Sequence, residues 1–596
     1  MPSRIFSYLL LFFASFCAAT ASADNIYPRD YFSSPVTHEI QLTGTFGELR
    51  PNHFHAGIDI RPKRSGVEEP IIAAAEGWVS RIQVQPSGYG NVLYIDHPNG
   101  FTTVYAHLQR FSPAVDSFVK SMQYREEKFE VDLAPARAHF KFNRGEEIGT
   151  MGNTGASQGM HLHFEIRRTG SDEALNPLLF GFAVSDEKPP KFYELKIYHL
   201  DDENKVIGSR EIYLREKAKK KRVKKGKKWR TITIAPNPDA PYVIQNDTIN
   251  VASGRIGFGI KAFDSADWSA NTNGIYGLEM YRDGLPAFSF DTQCFYFEDT
   301  RYINAHIDYP EKLSGGGYFN RCFSLPGNYL NIYKDKINNG IVALQGEQYA
   351  KITMIAKDAA DNRDTLEFWI KSTDSNLLPK SNGKKVGTQL CYDEDNEIAQ
   401  GNLEVRIPAG ALYESTHIHI HQSEMRSALA FSPLYKIHHA ATPLHKSIQL
   451  SIRPTRQVPD SLMDKVCIAY KDGRGNLNNC GRTWHQGAVV ASAQSFGSFF
   501  IFADTSRPVI KPLRFQADMQ KEKRMSFKVS DNMLLDKQMV WRAEVDGKWI
   551  LMEFDLKSKT LVHFFDERIA PGVHELKLAV RDKQGNEQIF VSSFKR

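Results

Sequence analysis

Short runs of alternating apolar and polar residues, separated by turns rich in Gly, Asn and Pro, dominate the chain. Residues 92–96 (VLYID) and 102–106 (TTVYA) flank a Pro-Asn-Gly turn, a pattern that predicts a β-hairpin. Residues 71–75 and 78–82 suggest a second strand pair. No long segment repeats its apolar positions with a helical period, and the charged stretch at about 112–143 is interpreted as a surface insertion. The pattern therefore predicts an all-β protein.

The same pattern continues beyond a Lys-Pro-Pro linker at 188–190. Residues 353–371 form a strand–turn–strand pattern that recurs at 577–594, and both resemble the last hairpin of immunoglobulin-like sandwiches. Residues 402–412 (NLEVRIPAGAL) resemble a segment of ZU5-like β domains. We expect about three β-sandwich modules after the N-terminal domain. The expected divisions are 1–23 (signal peptide), 24–187 (N-terminal domain with the insertion), 188–375, 382–504 and 506–596.

The start of the chain has the features of an export signal. Arg4 precedes an apolar run at 5–19, and Ala21-Ser22-Ala23 fits signal-peptidase cleavage. The run is shorter than the roughly 20 residues that span a bilayer. We expect an exported protein of the periplasm or cell envelope, with no transmembrane span after cleavage; an uncleaved anchor is the alternative.

The net charge of +6 comes from one segment. Residues 215–230 hold 11 basic residues and one acidic residue, whereas the rest of the 596-residue chain has 64 basic and 68 acidic residues. The run is either a solvated hairpin tip or a contact for anionic polymers or lipid phosphates of the envelope. Nucleic acid is not expected as a partner, because export removes the opportunity and Trp229 is the run's one aromatic residue.

Five cysteines follow the predicted signal peptide, so an oxidising compartment would leave at least one thiol unpaired. Proximity in sequence suggests two pairs, Cys294 with Cys322 and Cys467 with Cys480. The chain has no CxxC motif, which argues against a thiolate zinc site or a redox motif.

Three histidines at 417, 419 and 421 alternate with isoleucine and would share one face of a strand. They could bind a transition metal. Because no carboxylate or cysteine partner is evident, a half-exposed strand is the favoured interpretation, and the same holds for His438-His439.

A separate set of histidines predicts a catalytic metal. His161 and His163 would lie on the same face of a strand, because side chains alternate with period two. His55 and Asp59 can converge if the residues between them make a tight bend. Two His and one Asp suit a catalytic Zn²⁺ with one position open for water. Such a metal lowers the pKa of the bound water and polarises a carbonyl.

The motifs that contain these residues occur in the order found in one enzyme family. They are His55-Ala56-Gly57-Ile58-Asp59, Gly88-Tyr89-Gly90-Asn91, Tyr105-Ala106-His107-Leu108, Gly152-Asn153-Thr154-Gly155 and His161-Leu162-His163. Residues 36–180 thus resemble the lysostaphin/LytM-type zinc endopeptidases, which cleave peptide cross-links in bacterial cell walls. The spacer between Leu108 and Gly145 is some 20 residues longer than is usual in that family.

The resemblance implies an antiparallel β-sheet with one Zn²⁺ in a groove. His55, Asp59 and His163 would be the ligands, and His107 and His161 the catalytic pair beside the zinc-bound water. One of the pair would take the proton of the water and the other would stabilise the oxyanion; the sequence leaves both assignments open. Tyr105 is a further candidate hydrogen-bond donor.

The expected function is hydrolysis of peptide cross-links in peptidoglycan stem peptides, such as the bond from D-Ala to a diamino acid. The alternatives are a catalytically silent regulator of the same fold and an envelope scaffold dominated by the β modules. The C-terminal modules or the basic loop at 215–230 are candidate contacts for an envelope protein or an anionic polymer.

Overall fold

The computed structural model describes most of the chain from residue 27 onward. The described ranges are 27–64, 66–137, 139–216, 219–225, 228–234, 242–243, 248–265, 271–373, 387–533 and 539–596. Strands make up 48% of the structure and helices 7%. The prediction of an all-β protein is therefore confirmed, whereas the predicted export signal at 1–23 lies outside the described residues.

The N-terminal domain is an antiparallel sheet with strand order β1-β4-β13-β8-β7-β6-β10, covered by a second sheet of order β5-β12-β9. Buried aliphatic and aromatic side chains fill the space between the two sheets. The elements are β1 Leu42–Gly44, β2 Leu49–Arg50, β3 His53–Phe54, β4 Ile58–Ile60, β5 Pro70–Ile72, β6 Gly77–Val84, β7 Asn91–Asp96, β8 Phe101–Ala106, β9 Arg110–Phe111, α1 Pro113–Glu126, β10 Val131–Leu133, β11 Lys141–Phe142, β12 Glu147–Thr150, β13 Leu162–Arg168 and β14 Ala174–Leu175.

Two sequence expectations for this domain meet different outcomes. The predicted hairpin is confirmed, because β7 pairs with β8 in antiparallel register. The second expected pair is wrong: β5 pairs with β12, while β6 pairs with β7, β10 and β11 in the other sheet. The chain turns from one sheet to the other between β5 and β6, so neighbours in sequence become members of different layers.

In the described residues, the second module has two six-stranded sheets around one core and two small two-stranded sheets. Strand β26 leaves this module and pairs with β14 of the N-terminal domain. The elements are β15 Lys191–Leu200, β16 Val206–Tyr213, β17 Arg215–Glu216, β18 Lys219–Lys225, β19 Lys228–Ile234, β20 Tyr242–Val243, β21 Thr248–Ala252, β22 Gly254–Ser265, β23 Thr272–Asn273, β24 Gly277–Arg282, β25 Leu285–Asp291, β26 Cys294–Phe295, α2 Ile303–His306, α3 Tyr309–Ser314, β27 Asn320–Arg321, β28 Tyr333–Lys336, β29 Val342–Leu344, β30 Tyr349–Lys357 and β31 Arg363–Thr373.

The basic run lies on β17, β18 and β19. Strands β18 and β19 pair with each other in antiparallel register from Lys219 opposite Ile234 to Lys225 opposite Lys228. Residues 219–225 and 228–230 of the run therefore lie on two paired antiparallel strands.

Two further modules follow, and in each of them two antiparallel sheets enclose a core. The third module also has a two-stranded sheet, formed by residues 388–390 and 416–418. The domain limits proposed from the sequence stay predictions. The third module contains β32 Thr388–Leu390, β33 Asn396–Gln400, β34 Leu403–Ile407, β35 Thr416–Ile418, β36 Ile420–Ser423, β37 Leu434–Ile437, β38 Ile448–Ile452, β39 Val466–Lys471, β40 Leu477–Gly481, β41 Thr483–His485, β42 Ala488–Ala493 and β43 Gly497–Ala503. The C-terminal module contains β44 Val509–Arg514, β45 Arg524–Ser530, β46 Val540–Val545, β47 Lys548–Trp549, β48 Glu553–Asp555, β49 Thr560–Phe564, β50 Val573–Arg581 and β51 Glu587–Lys595.

The cysteines of the described chain are not cross-linked. All five of them, at 294, 322, 391, 467 and 480, are free thiols, so neither suggested pair forms a disulfide. Cys322 and Cys467 are buried, and burial raises the pKa of each thiol above its ordinary value. Within the same residues, no helix has the length and the apolar character needed to cross a membrane.

Candidate metal centre

Three side chains converge at the junction of β4 and β13. Asp59 on β4 lies directly opposite His163 on the neighbouring antiparallel strand, and His55 follows the short strand β3. The Nε2 atom of His55 is 3.0 Å from Asp59 Oδ1 and 2.9 Å from His163 Nδ1. Asp59 Oδ1 is 3.0 Å from His163 Nδ1, and all three residues are buried. The structure thus brings together the three residues expected as ligands.

A glycine makes this convergence sterically feasible. A Cβ atom on Gly57 would lie 2.4 Å from the carbonyl oxygen of Phe164 on the adjacent strand. Such a separation is far below a van der Waals contact, so a larger residue would force the two strands apart. The close approach explains why the bend between His55 and Asp59 contains a glycine.

Hydrogen bonds fix which nitrogen of each imidazole faces the centre. The Nδ1–H of His55 donates to the carbonyl oxygen of Thr45 at 2.7 Å, so that Nε2 faces the centre. The Nε2–H of His163 donates to Glu165 Oε1 at 2.7 Å, so that Nδ1 faces the centre. Histidines that bind metals are held in this way by a partner on their other nitrogen.

Glu165 belongs to a buried charged network behind the centre. Its Oε2 accepts from Arg167 Nε at 2.7 Å, and its Oε1 accepts from the Tyr89 hydroxyl at 2.5 Å. Burial would raise the pKa of Glu165, but the Arg167 guanidinium and the hydrogen bond from His163 outweigh it and lower the pKa to about 2. The carboxylate is therefore ionised and can orient the His163 ring.

Asp59 is held ionised in a similar way. Burial would raise its pKa, but the charge of His55 and hydrogen bonds from the surrounding histidines hold it well below the ordinary value. Its second oxygen, Oδ2, accepts from Arg50 Nη2 at 2.7 Å. Oδ1 is the oxygen that faces the two imidazoles.

His107 and His161 lie next to these three residues. The Nδ1–H of His107 donates to the carbonyl of Thr154 at 2.9 Å, and the Nδ1–H of His161 donates to the carbonyl of Gly159 at 2.8 Å. Their rings are 4.8 Å apart, and His161 Nε2 is 3.4 Å from Asp59 Oδ1. Because these hydrogen bonds use Nδ1, the Nε2 atom of each ring remains available for chemistry at the site.

The backbone and surroundings of His107 are unusual. Its φ of 61° lies in the left-handed region, which residues other than glycine rarely adopt. Burial lowers the pKa of His107 to about 3, with a further contribution from the charges of His163 and His161. The imidazole is therefore neutral at physiological pH.

The donor set fits zinc. Two imidazole nitrogens and one carboxylate oxygen, all buried and within 3.0 Å of one another, match the three protein ligands of a catalytic zinc site. Each ligand also has a partner that holds it in place. Calcium or magnesium would require mostly oxygen donors.

The sequence interpretation of Tyr105 does not hold. This residue is fully buried, and its hydroxyl accepts from the backbone N–H of Ala74 at 2.9 Å and from Thr103 Oγ1 at 3.0 Å. Its side chain packs in the core, on the opposite face of β8 from the site. The tyrosine beside the centre is Tyr89, which belongs to the turn motif at 88–91 and for which the sequence predicted no role.

The other set of histidines does not lie on one strand. His417 is on β35 and His421 on β36, and these strands belong to different sheets. His419 lies between them, with ring centroids 5.1 Å from His439 and 5.4 Å from His438. The chain changes sheets at His419, so the alternation in the sequence spans two strands.

Two family models match the chain. The model described as peptidase family M23 matches residues 53–124, and the Zu5-like domain model matches residues 387–504. The second match agrees with the resemblance noted at 402–412.

Curated proteins from several bacteria are similar to about a quarter of this chain. An uncharacterized metalloprotease of Haemophilus influenzae is 33% identical over 132 residues, which are 22% of this chain and 21% of that protein. The DD-carboxypeptidase/endopeptidase Mpg of Neisseria meningitidis serogroup B is 33% identical over 25% of each chain. The murein hydrolase activator NlpD of Escherichia coli K12 is 32% identical over 24% of this chain and 29% of its own. The matched region therefore spans about a quarter of the length of these relatives.

Proposed function

We propose that this chain, whose N-terminal domain belongs to the lysostaphin/LytM-type peptidases of family M23, is a zinc-dependent endopeptidase that hydrolyses peptide cross-links of bacterial peptidoglycan. The observation that supports this best is the approach of His55 Nε2, Asp59 Oδ1 and His163 Nδ1 to within 3.0 Å of one another. Two further histidines, His107 and His161, stand beside them, each held by a hydrogen bond from its Nδ1 to a backbone carbonyl.

The residues have separate tasks in this proposal. His55, Asp59 and His163 would hold one Zn²⁺, which when bound acidifies a water and polarises the scissile carbonyl. His107 and His161 then serve as a pair, in which one Nε2 accepts the proton of the attacking water and the other, protonated, donates to the oxyanion. The backbone carbonyls at residues 154 and 159 keep both rings in the orientation that this requires.

Location in the cell envelope is part of the proposal. Peptidoglycan stem peptides lie outside the cytoplasmic membrane, and the features of residues 1–23 suit export to that compartment. The relatives named above include a protein described as an endopeptidase and a murein hydrolase activator. We further propose that the bond cleaved is a stem cross-link such as D-Ala to a diamino acid. The basic run at 215–230 or the C-terminal modules would contact an anionic polymer or an envelope protein.

The second candidate is a catalytically silent regulator. Similarity to the activator NlpD favours it. The presence of all five residues in one site favours the enzyme, because a silent regulator has no need for two histidines held beside three converging ligands.

Product masses from purified sacculi distinguish the two candidates. The zinc-loaded protein should convert cross-linked muropeptides into smaller products, and their masses identify the bond. His163→Ala should bind no zinc and release no product, because it removes a ligand. His107→Ala should keep zinc and lower turnover by about 10²- to 10⁴-fold, the usual contribution of a general acid or base.

His53→Ala is the matched control. His53 is exposed and lies two residues before His55, so its loss should change neither zinc content nor product formation. If the parent protein bound no zinc and left muropeptides intact with zinc supplied, the regulator would be favoured. Full activity in His107→Ala would refute the role given to that residue.

A further inference from the structure

A second cluster of metal-ligating groups lies between the N-terminal domain and the second module. Asp186 belongs to the connection between them, Asp264 is on β22 and Asp358 follows β30. One carboxylate oxygen from each lies within 4.8 Å of the other two. Asp264 and Asp358 are 3% and 4% exposed, so their negative charges are concentrated in a region with little water.

A fourth oxygen faces the same space. Asn273 on β23 stands directly opposite Asp264, so the two side chains share one face of the sheet. Asn273 is 2% exposed, and among the residues that the structure describes its Oδ1 atom has no hydrogen-bond partner. An unsatisfied buried carbonyl oxygen costs about 1–3 kcal/mol, so a native protein that keeps one requires a reason. A bound cation supplies that reason.

The four residues line one cavity of ≈160 Å³. The cavity has room for a cation and several waters, because a single water needs about 10–15 Å³ of such space. The Thr45 side chain, from the N-terminal domain, lines the same cavity. Groups from both domains therefore face a common centre.

One asparagine fixes the geometry of two of the acids. Asn362 Nδ2 donates to Asp358 Oδ2 at 2.8 Å and to the backbone carbonyl of Asp186 at 3.0 Å. The backbone N–H groups of Ala360 and Asn362 both donate to Asp358 Oδ1 at 2.9 Å. The Asp358 carboxylate is thus held in place before any ligand arrives.

The junction between the third and C-terminal modules repeats this arrangement. Asp504, Asp531 and Asp582 form a cluster of the same kind, and Asn586 Nδ2 donates to Asp582 Oδ2 at 2.8 Å and to the carbonyl of Asp504 at 2.9 Å. In this cluster a second asparagine takes part, since Asp504 Oδ1 accepts from Asn532 Nδ2 at 3.0 Å.

We propose that Asp186, Asp264, Asp358 and Asn273 bind a calcium ion at the joint between the N-terminal domain and the second module. Three carboxylates and one amide carbonyl are the hard oxygen donors that Ca²⁺ prefers, and waters in the cavity complete its six to eight ligands. Zinc favours nitrogen ligands and would bind at the histidine centre instead. The ion neutralises the clustered charge and couples the two domains.

Calcium titration of the full-length protein, monitored by isothermal calorimetry after treatment with a chelator and reloading with zinc, tests the proposal. The parent should take up Ca²⁺ saturably, with a higher melting temperature in its presence. Asp264→Asn should remove one equivalent of uptake, because it keeps the shape of the side chain but not its charge. Asn273→Ala should weaken the same binding event by about tenfold or more, the loss of one ligand.

Two controls localise the binding event. Asp531→Asn, the matching change in the second cluster, should keep the event that Asp264→Asn removes. His163→Ala should also keep it, which separates this site from the zinc centre and makes the result independent of any peptidase activity. Absence of Ca²⁺ uptake by the parent, unchanged uptake in Asp264→Asn, or equal uptake of Mg²⁺ would overturn the proposal.

Discussion

At the scale of the residue, the centre depends on side chains behind the metal ligands. Glu165 is fully buried and binds His163, Arg167 and Tyr89 at once. A buried carboxylate is tolerated only when its charge and lone pairs are satisfied, as they are here. The network therefore keeps His163 in one orientation.

The sequence contained a signal for this network. Residues 163, 165 and 167 alternate along one strand, so their side chains had to share a face. The ligands and the two catalytic histidines could be proposed because they stand in recognisable motifs. The partnership with Tyr89 could not, because it joins residues 76 positions apart, and only the pairing of strands decides which distant side chains meet.

Glu165→Gln should weaken zinc binding without unfolding the domain. Glutamine keeps the shape of the side chain but removes the charge that orients His163 and balances Arg167. Loss of such a partner lowers metal affinity by about 10- to 100-fold. Competition with a zinc-binding dye measures the affinity, and circular dichroism checks the fold.

Glu173→Gln is the control for this change. Glu173 pairs with Arg168 Nε at 3.0 Å on the outer part of the same region, where Arg168 is exposed. Its loss should leave zinc affinity unchanged. Equal zinc affinity in Glu165→Gln and the parent would mean that the network does not support the ligand.

At the scale of the element, tight turns and strand pairing position the site. The hairpin of β7 and β8 was predictable because its turn and alternation are local. Helix α1 was not predicted, because its buried face consists only of Val115, Val119 and Gln123, too little for an apolar period to appear. Local sequence patterns thus identify hairpins. Whether a helix with few buried residues forms, and which sheet a strand joins, depends on contacts with the rest of the fold.

Gly57→Ala should destabilise the N-terminal domain. The added Cβ would lie 2.4 Å from the Phe164 carbonyl, so β4 and β13 must separate at the ligands they carry. Forced overpacking costs about 1–3 kcal/mol. Chemical denaturation measures the free energy of unfolding, and zinc affinity should fall in parallel.

Gly159→Ala provides the comparison. A Cβ on Gly159 meets no atom within 4 Å, and its backbone is not in the left-handed region. Its free energy of unfolding should stay within about 0.5 kcal/mol of the parent, as for most surface changes. Similar losses in both variants would show that the contact at Gly57 has no special effect.

At the scale of the whole molecule, the modules form a closed series of contacts. Strand β26 joins the second module to the N-terminal domain, and the Tyr302 ring stacks on His445 of the third module at 4.0 Å. Lys465 Nζ of the third module donates to the Gln584 carbonyl of the C-terminal module at 3.0 Å. The C-terminal module then returns to α1, where Lys120 Nζ is 2.7 Å from Asp566 Oδ2.

This closure gives the long insertion a structural role. The sequence indicated a charged surface insertion and a series of β modules, but not that the last module would pack on the insertion. Such contacts join residues more than 400 positions apart, as between Glu127 and Arg542. The pattern of either segment alone carries no information about the other.

Tyr124→Ala should loosen α1 by removing the aromatic part of this contact. The Tyr124 ring lies 5.0 Å from the Trp549 ring and under the Arg568 guanidinium at 4.1 Å. A 14-residue helix is marginal by itself in water, so its order depends on packing. Losing an aromatic pair and a cation–π contact costs about 1–2 kcal/mol, which raises amide exchange in the helix about tenfold. Hydrogen–deuterium exchange of residues 113–126 measures the effect.

Tyr213→Ala, a change at an exposed tyrosine of the second module, is the control and should leave that exchange unchanged. If α1 stays equally protected in both variants, the N-terminal domain alone orders the helix.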